Sequence, residues 1–437
     1  MGLSGVGIGW RPELATDLLS HPRSVDLVEV TAEGCATPAA RREACAIAEA
    51  WPVVVHGVKT SLGSAEGIDR DRAKKLAAIA RDVRAPCVSE HVAFVRAGGV
   101  EIGHLTGMPF TRDAVAVLAR NVAAARRLLP DVPLLLENVA WSFRWPEDAL
   151  DEGDFHREVT EATGCDLLLD VGNLYANARN AGRDPDELLA RYPLDRVAMI
   201  HVAGGVFEDG FYFDTHSHPV PEAVLDLVAR ALASTGDVPV VLERDGAFPP
   251  FEAIAGELSR LASSPRGPGR EHATRTPLPA PERLSAPMAA EQHRMAVLLT
   301  APDAPVDAVL ARARDILQKK RADDALPLLP TVAAHGAAAL ALAVRTLEGT
   351  RRPPSMVAVS DALRIARAAE DDAALREAAR SDASLLRARF IEDDGVVRPR
   401  VTPFVERRRV AGGVTRWVVK GPGAGAKVRI IERRGQP

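Results

Sequence analysis

Aromatic residues are scarce in this chain of 437 residues, at 4% of the sequence. Packing must therefore depend mainly on small and β-branched aliphatic side chains. Hydrophobic residues still reach 47% and charged residues 26%, which excludes a wholly disordered protein. A chain of this length is expected to fold as about two or three domains.

Long apolar runs are also missing. The longest, such as Ala337 to Val344, are far shorter than the roughly 20 residues that a bilayer-spanning helix needs. The N-terminal residues contain neither a basic stretch nor a sustained apolar one, so no secretory signal is expected. The sequence therefore predicts a cytoplasmic protein without a membrane segment.

Cysteine is rare, with only Cys35, Cys45, Cys87 and Cys165, and none of these has CxxC spacing. This density is too low for a disulfide scaffold, and it makes thiolate metal sites and iron–sulfur clusters poor hypotheses. Neither a radical-SAM cysteine motif nor a flavin fingerprint is present. The sequence therefore indicates neither radical-SAM nor flavin chemistry.

The net charge of −4 conceals two parts of opposite sign. From Pro265 onward the chain has 30 basic and 20 acidic residues, against 25 and 39 before it, which gives net charges of +10 and −14. Residues 263–287 are rich in Pro, Ser, Gly and Arg, a composition that favours an extended linker. We therefore expect a catalytic domain of residues 1–262, a linker over 263–287, and a smaller accessory domain of residues 288–437.

Before the linker, short apolar runs alternate with amphipathic or alanine-rich segments. The predicted strands are Val6–Ile8, Val25–Val30, Pro52–Val55, Pro86–Val88, Val132–Leu136, Asp166–Leu169, Val197–Ile200 and Val238–Leu242. The predicted helices include Ala39–Ala50, Asp71–Asp82, Arg112–Leu129, Phe155–Thr163, Pro185–Arg191 and Pro221–Leu232. Eight strand–helix units in about 255 residues match the size of a (β/α)₈ TIM barrel. A doubly wound open sheet is the alternative, because a strand count does not show closure.

Beyond the linker, the pattern predicts a mainly helical domain with a β-rich basic tail. The predicted helices are Ala289–Leu299, Val306–Leu326, Ala337–Glu348, Met356–Ala369 and Asp372–Phe390, and the predicted strands are Val405–Val410, Val414–Val419 and Val428–Ile431. Trp417 is nearly the only aromatic residue of this tail, so a nucleic-acid surface is not favoured. A solvated basic face, or a surface for an acidic peptide or for the acidic barrel, fits better.

Side chains that can bind metals follow nearly every predicted strand. In a barrel the C-terminal ends of all strands meet on one face, so these side chains become neighbours. A single histidine there is more often structural, and a single carboxylate usually caps the next helix. Many buried carboxylates together, however, are costly unless cations neutralise them. Histidine and carboxylate without thiolate suit Fe, Mn or Zn, and the candidates exceed one coordination shell, so we expect two or three metal ions.

Eight segments, in order along the chain, resemble the DUF692 family. They are GIGWRPEL (7–14), VDLVEV (25–30), HGVKTSLGS (56–64), VSEHVAF (88–94), LLLENVAW (134–141), LLLDVGNLY (167–175), IHVAGG (200–205) and DTHSHPV (214–220). Characterised members of that family are multinuclear non-haem iron oxidases that modify cysteine residues of ribosomally made peptides, as in methanobactin and 3-thiaglutamate biosynthesis. The resemblance covers about residues 5 to 248 and does not extend to the C-terminal region.

The resemblance implies a set of iron ligands at the matching motif positions. These are His56, His91, Glu137, Asp170, Asn173, His201, Asp214, His216 and Glu243. Glu90 is a candidate for supporting a ligand rather than for binding metal. At Gly34, Gly172 and Gly205 many relatives carry other residues, which puts substrate contacts rather than the metal ligands in question. His21 and His156 lie in polar patterns and are expected to be solvated.

The resemblance implies an oxidase that uses two or three irons and O₂ on a Cys-containing precursor peptide. A small partner protein often recruits the peptide leader in such systems, and the C-terminal domain is a candidate for that role. No specific catalytic side chain is assigned beyond the metal ligands. Two alternatives remain open from the residues themselves: a Zn- or Mn-dependent TIM-barrel hydrolase or isomerase, and a non-catalytic peptide-binding scaffold.

Overall fold

The computed structural model describes residues 3–268, 286–301, 304–350, 356–393, 396–410 and 414–434. The chain divides into two compact units. The first contains Met1–Gly99 and Leu105–His293, and the second contains Val100–His104 and Arg294–Pro437. Residues 269–285, most of the predicted linker, lie outside the described residues.

The strands are numbered in chain order. They are β1 (Val6–Gly9), β2 (Leu27–Thr31), β3 (Val53–Gly57), β4 (Val88–His91), β5 (Ala93–Ala97), β6 (Val100–Gly107), β7 (Leu134–Glu137), β8 (Asp166–Asp170), β9 (Val197–Ala203), β10 (Gly205–Glu208), β11 (Phe211–Asp214), β12 (Val240–Glu243), β13 (Phe390–Asp393), β14 (Val396–Pro399), β15 (Phe404–Val410), β16 (Val414–Lys420) and β17 (Val428–Arg434).

The helices are numbered in the same way. They are α1 (Ala15–Ser20), α2 (Pro38–Ile47), α3 (Arg70–Asp82), α4 (Arg112–Arg126), α5 (Glu152–Thr163), α6 (Val171–Asn180), α7 (Pro185–Arg191), α8 (Glu222–Thr235), α9 (Phe251–Ala262), α10 (Ala286–Thr300), α11 (Ala308–Ala325), α12 (Pro330–Ala333), α13 (Ala337–Leu347), α14 (Val357–Asp371) and α15 (Arg376–Arg389). Within the described ranges, no helix is both long enough and apolar enough to cross a bilayer.

Eight parallel strands of the first unit form a closed barrel in the order β1-β12-β9-β8-β7-β4-β3-β2. The last strand returns to the first, with Val6 opposite Val240 and Ile8 opposite Leu242. The predicted TIM barrel is therefore confirmed, and the open sheet is excluded. Aliphatic side chains fill the barrel as predicted, among them the fully buried Leu27, Leu135, Leu168 and Val241.

Short polar side chains begin several of the surrounding helices by accepting hydrogen bonds from the first free backbone N–H groups. Thr37, Asp69, Thr111 and Asp184 cap α2, α3, α4 and α7 in this way. Each helix therefore starts at a defined distance after its strand or loop. The capped helix starts thereby help to hold the C-terminal ends of the strands on one side of the barrel.

A hairpin of β10 and β11 follows the barrel strand β9. The chain then passes back over the end of β9, where a Cβ atom on Gly204 would lie 1.9 Å from the carbonyl oxygen of His218. Only glycine permits this close approach. The loop that contains Asp214 and His216 is thereby held at the mouth of the barrel.

The second unit has its own apolar core, formed by residues of α11 to α15 that are rich in alanine and leucine. Two antiparallel sheets follow, β13-β14 and β15-β16-β17. The predicted helical region with a β-rich basic tail is thus confirmed. Strands β13 and β14 were not predicted, because the three acidic residues after Ile391 and the proline at position 399 weaken the strand pattern.

The helix α6 was also missed by the sequence analysis. The segment Val171-Gly172-Asn173 follows the sixth predicted strand, and the helices predicted from the sequence do not include it. In the structure Asp170 caps the helix instead, and its Oδ1 accepts a hydrogen bond of 2.7 Å from the backbone N of Asn173. The strand and the helix therefore meet without an intervening loop, which leaves Asp170 deeply buried.

Candidate metal centre

Three predicted ligands, His56, His91 and Glu137, lie at the C-terminal ends of β3, β4 and β7, and all are buried. One ligand atom of each lies within 4.8 Å of the others. The Nε2 atoms of His56 and His91 are 3.4 and 3.2 Å from Oε2 of Glu137. We call these residues group 1, and they can hold one metal ion.

A second cluster, group 2, consists of Glu137, Asp170, His201 and Glu243. Their ligand atoms also lie within 4.8 Å of one another, and all four side chains are buried. The Nδ1 atom of His201 is 3.2 Å from Oε1 of Glu137 and 3.4 Å from Oε2 of Glu243. Glu137 therefore belongs to both groups, with one oxygen toward each, as a carboxylate that bridges two ions would be.

The histidines of group 1 are held by hydrogen bonds on their outer nitrogens. Nδ1 of His91 lies 3.1 Å from the carbonyl oxygen of Gly57, which can only accept, so Nδ1 carries the proton. Nδ1 of His56 lies 2.8 Å from Oγ of Ser89. The Nε2 atom of each ring is thereby directed to Glu137, as expected of metal-binding histidines with a supporting partner.

Glu29 supports the histidine of group 2. Its Oε2 lies 3.0 Å from Nε2 of His201, and its side chain is 2% exposed. A carboxylate accepts hydrogen bonds, so Nε2 donates and Nδ1 faces Glu137 and Glu243. The Nδ1 atom is buried and has no hydrogen-bond partner among the described residues. This is the carboxylate–histidine arrangement that orients and strengthens a metal ligand.

Replacement Glu29→Gln is expected to lower metal affinity by about 10- to 100-fold, because the charge behind His201 is lost while the side-chain shape is kept. Competition against a fluorescent chelator under anaerobic conditions measures the change. Glu152→Gln is the matched control, since Glu152 is equally buried but belongs to neither group. Equal affinities of wild type and Glu29→Gln would contradict the supporting role.

Several buried polar atoms of the centre have no hydrogen-bond partner in the part of the chain that the structure describes. They are Oε2 of Glu137, Oδ2 of Asp170, Nδ1 of His201, Oδ1 of Asp214 and Nδ1 of His216. Each such atom costs about 1–3 kcal/mol if left unsatisfied. All five are atom types that bind metal ions. Cations bound at the two groups and beside Asp214 and His216 would satisfy them, so the residues present fit a metal centre.

The electrostatic potential at the barrel mouth is negative. Burial, together with the carboxylates of Asp214, Glu137 and Glu243, raises the pKa of Asp170 well above its usual value. Burial alone would lower the pKa of His91, but Glu137 and other carboxylates outweigh it and raise that pKa to about 9. Metal binding competes with protons for groups whose pKa values are raised in this way.

Asp214 and His216 lie at the edge of this centre. His216 has a left-handed backbone with φ of 52°, and its Nε2 is 2.6 Å from Oδ2 of Asp214. Its Nδ1 is 3.5 Å from Oε2 of Glu243, so the pair adjoins group 2. Neither residue falls within group 1 or group 2. Strained backbone at a polar cluster is common in functional sites.

Asn173 is placed differently from the other predicted ligands. Its Nδ2 donates a 3.0 Å hydrogen bond to the carbonyl oxygen of Asn138, and its backbone N donates to Asp170. In the same region Asn138 exchanges hydrogen bonds with the backbone of Asp170. These contacts hold the β7 and β8 exits together. A ligand role for Asn173 stays a prediction.

Other acidic residues after the strands have structural partners. Glu90 accepts 2.9 Å hydrogen bonds from the backbone N of Thr60 and of His91. Its Oε1 also lies 3.5 Å from Nδ1 of His91, in keeping with a supporting position. Glu33 accepts from the backbone N of Lys59 at 2.9 Å. These carboxylates shape the loop after β3.

Two residues have positions in the structure that were not expected from the sequence. Glu29 was not singled out, although a charged residue at an inward position of the otherwise apolar β2 was a usable signal. His156 was predicted to be solvated and is buried, stacked on Tyr192 with ring centroids 5.1 Å apart. That prediction was wrong, and burial lowers the pKa of His156 to about 3.

A shallow cleft lies beside the exits of β4 and β7. Its wall includes Val92, which follows His91, and Val139, which follows Glu137 by two residues. The other residues that line it are Gly107, Met108, Phe110, Trp141, Phe143, Arg144, Trp145, Asp148, Glu152 and His156. In a chain with so few aromatic residues, this concentration next to the centre identifies a candidate substrate surface.

Among solved structures, the first unit resembles endonuclease IV from Thermus thermophilus, with 18% identity over 57% of this chain and 95% of that chain, and a TM-score of 0.39. A xylose isomerase domain protein from Planctomyces limnophilus gives 17% identity, 60% and 95% coverage, and a TM-score of 0.39. At these values nothing about the activity of this chain follows from either structure.

Closer relatives are named UPF0276 protein. The one from Streptomyces avermitilis is 42% identical over 269 residues, which are 60% of this chain and 55% of the relative, so the match spans little more than half of that protein. The one from Caulobacter vibrioides (strain NA1000 / CB15N) is 38% identical over 270 residues, 60% of this chain and 96% of the relative.

The family model for the RiPP precursor modification enzyme MbnB/TglH/ChrH matches residues 5–265. This segment contains every residue of groups 1 and 2, and it agrees with the resemblance to the DUF692 family on the sequence motifs. RiPPs are ribosomally made peptides that are modified after translation. With the barrel, its ligand groups and the match in the same segment, this chain belongs to the MbnB/TglH/ChrH family of RiPP precursor modification enzymes.

Proposed function

We propose that this chain is an iron-dependent oxidase that modifies a cysteine residue of a ribosomally made precursor peptide with O₂. The observation that supports this most strongly is the sharing of Glu137 between two buried ligand groups. Glu137 and the other residues of the two groups would hold two ions, which could then act on one substrate. The family supplies the substrate class, a precursor peptide.

The ligand chemistry is compatible with iron. Group 1 offers two imidazoles and a shared carboxylate, and group 2 offers one imidazole and three carboxylates, with no cysteine in either. Such mixed nitrogen and oxygen sets suit iron and manganese, and zinc as well. A third ion is proposed beside group 2, where Asp214 and His216 adjoin Glu243. Two or three irons are thus the proposed cofactor.

The iron, when bound, would supply the redox chemistry with O₂ that oxidation of a peptide cysteine requires. The protein residues position and shield this chemistry. Glu29 and the carbonyl of Gly57 fix the imidazoles of His201 and His91, so the ligand nitrogens are aligned before metal arrives. The cleft beside Val92 and Val139 can bind side chains of the peptide and exclude water.

The proposed partners are a Cys-containing precursor peptide and O₂. A small recruiting protein is a further partner unless the C-terminal region takes its place. The division into a barrel domain (1–262), a linker (263–287) and an accessory domain (288–437) stays a proposal, as does the cytoplasmic location predicted from the sequence.

Anaerobic loading of the full chain with Fe²⁺, Mn²⁺ or Zn²⁺ tests the proposal. Each form is exposed to O₂ with a panel of Cys-containing peptides, and oxygen uptake and peptide mass are followed. We expect oxygen uptake and a changed peptide mass with iron alone. Peptide modification by the zinc form, or hydrolysis of a peptide without oxygen uptake, would contradict the oxidase and favour the hydrolase alternative.

A further inference from the structure

The sheet of β15, β16 and β17 has two chemically different faces. In this antiparallel sheet alternate residues point to opposite sides, and directly opposed residues share a side. On one side Glu406 approaches α15, where its carboxylate accepts hydrogen bonds from Ser384 and Arg387. Arg416 on the same side donates to Ser381 of α15 and pairs with Glu432. This side of the sheet is therefore the packed side.

The opposite side, which we call the arginine face, consists of three rows set by the strand register. The rows are Val405–Val419–Arg429, Arg407–Trp417–Ile431 and Arg409–Thr415–Arg433. Val405 is 68% exposed and Ile431 is 51% exposed. The face thus has an apolar centre with arginines around it, and no acidic residue among its members.

Within the described ranges, the four arginines of this face lack carboxylate partners. Arg407 lies over the ring of Trp417, with the guanidinium carbon 5.8 Å from the ring centroid. No ion pair joins Arg407, Arg409, Arg429 or Arg433 to any acidic residue that the structure describes. Elsewhere in this unit exposed arginines do find carboxylates, as Arg367 does with Glu392 and Arg398 with Asp393. Four unpaired cations around exposed apolar side chains are typical of a binding surface.

Both edges of this sheet are open in the residues described, because β15 and β17 each pair only with β16. An edge strand presents free backbone N–H and C=O groups and can accept a further strand. A single aromatic residue, Trp417, is a poor platform for stacking successive bases, which favours a peptide over a nucleic acid. The aliphatic side chains beside Trp417 suit apolar side chains of an extended peptide that face the sheet.

We propose that the arginine face docks an acidic, amphipathic segment of a peptide in extended conformation. The charge pattern calls for both carboxylates and aliphatic side chains among the peptide residues that face the sheet, with the aliphatic side chains over Trp417 and Ile431. The identity of the natural occupant rests on the proposed function. We assign it to a part of the precursor peptide other than the modified cysteine. The C-terminal region would then recruit the substrate that the barrel modifies.

Fluorescence anisotropy with the full-length protein tests this docking. The probe is a labelled synthetic peptide that repeats two glutamates and two leucines, so that each side of the extended peptide carries both residue types. A labelled oligothymidine of equal length is the nucleic-acid probe. The double reversal Arg407→Glu/Arg409→Glu is expected to weaken peptide binding by at least about tenfold, and added salt to weaken wild-type binding. Arg345→Glu/Arg389→Glu is the control, because both residues are exposed on helices α13 and α15 and the charge change is the same.

A loss in the face variant with less than about a twofold change in the control supports the proposal. Equal losses in the two variants would show non-specific charge attraction and overturn it, as would the absence of peptide binding to wild type. Binding of oligothymidine in preference to the peptide would assign the face to nucleic acid instead. Because no step of this assay needs iron or O₂, its outcome is independent of whether the chain is an oxidase.

Discussion

Replacement Glu137→Ala is expected to empty both metal groups and to reduce oxygen uptake to background. Glu137 is the one residue that belongs to both group 1 and group 2 in the described chain, so its loss removes a ligand from each ion. The carboxylate oxygens of Glu137 also lie within 3.5 Å of ring nitrogens of His56, His91 and His201. Metal analysis after anaerobic loading is expected to fall from about two ions per chain to well below one.

Two further variants keep this test decisive. Glu137→Gln preserves the side-chain shape, so a loss of metal in this variant is not a folding defect. Glu152→Ala removes another buried glutamate, one that accepts hydrogen bonds from Tyr192 and Asn177 and lies outside both groups. It should keep its metal. Retention of two ions by Glu137→Gln and Glu137→Ala would show that the carboxylate does not bridge.

Replacement Arg321→Ala is expected to destabilise the second unit by about 3–5 kcal/mol, the usual cost of removing one partner of a buried ion pair. Arg321 is 6% exposed and Asp361 is fully buried. Their contact is bidentate, with Nε and Nη2 donating to Oδ2 and Oδ1 at 2.9 and 2.8 Å. Without Arg321, the carboxylate of Asp361 would be left largely unpaired. Urea unfolding followed by circular dichroism measures the loss.

The double variant Arg321→Met/Asp361→Leu should recover most of this stability, because apolar side chains can replace a buried pair. Metal content should be unchanged in both, since Arg321 and Asp361 belong to the second unit and the ligands to the first. A loss of bound metal in Arg321→Ala that matches the loss of stability would contradict independent folding of the two units.

The periodicity of the first part of the chain was enough to predict the barrel. Each barrel strand was predicted within a few residues, because buried parallel strands appear as short, continuous aliphatic runs. The residues of both groups directly follow or end those runs, and the resemblance to the DUF692 motifs singled them out as candidate ligands. What periodicity could not supply was the closure of β1 on β12, which depends on contacts between the two ends of the barrel sequence.

Asp170 shows why the type of a residue at a strand exit does not by itself reveal its role. A carboxylate at a strand exit was expected to be either a helix cap or a metal ligand. In the structure Oδ1 caps α6, while Oδ2 remains buried without a partner in group 2. One oxygen is the cap, and the other is available for the proposed metal ligation. Only three-dimensional geometry separates the two roles.

His156 and the arginine face could not be predicted for a different reason. The burial of His156 comes from Tyr192 and Phe155 around it, which a polar local pattern does not reveal. The basic tail was recognised from its composition. The alignment of Arg407, Trp417 and Ile431 in one row, however, depends on strand register, and register is set by long-range pairing.

The central claim is that two ligand groups bind separate ions and share Glu137. Anaerobic equilibrium titration with Fe²⁺ tests it most directly, using wild type, His91→Ala from group 1 and Asp170→Ala from group 2. The account predicts at least two irons per wild-type chain and the loss of about one in each variant, because each change removes a ligand of one group only. A wild type that binds a single iron, or variants that both keep the full number, would contradict it.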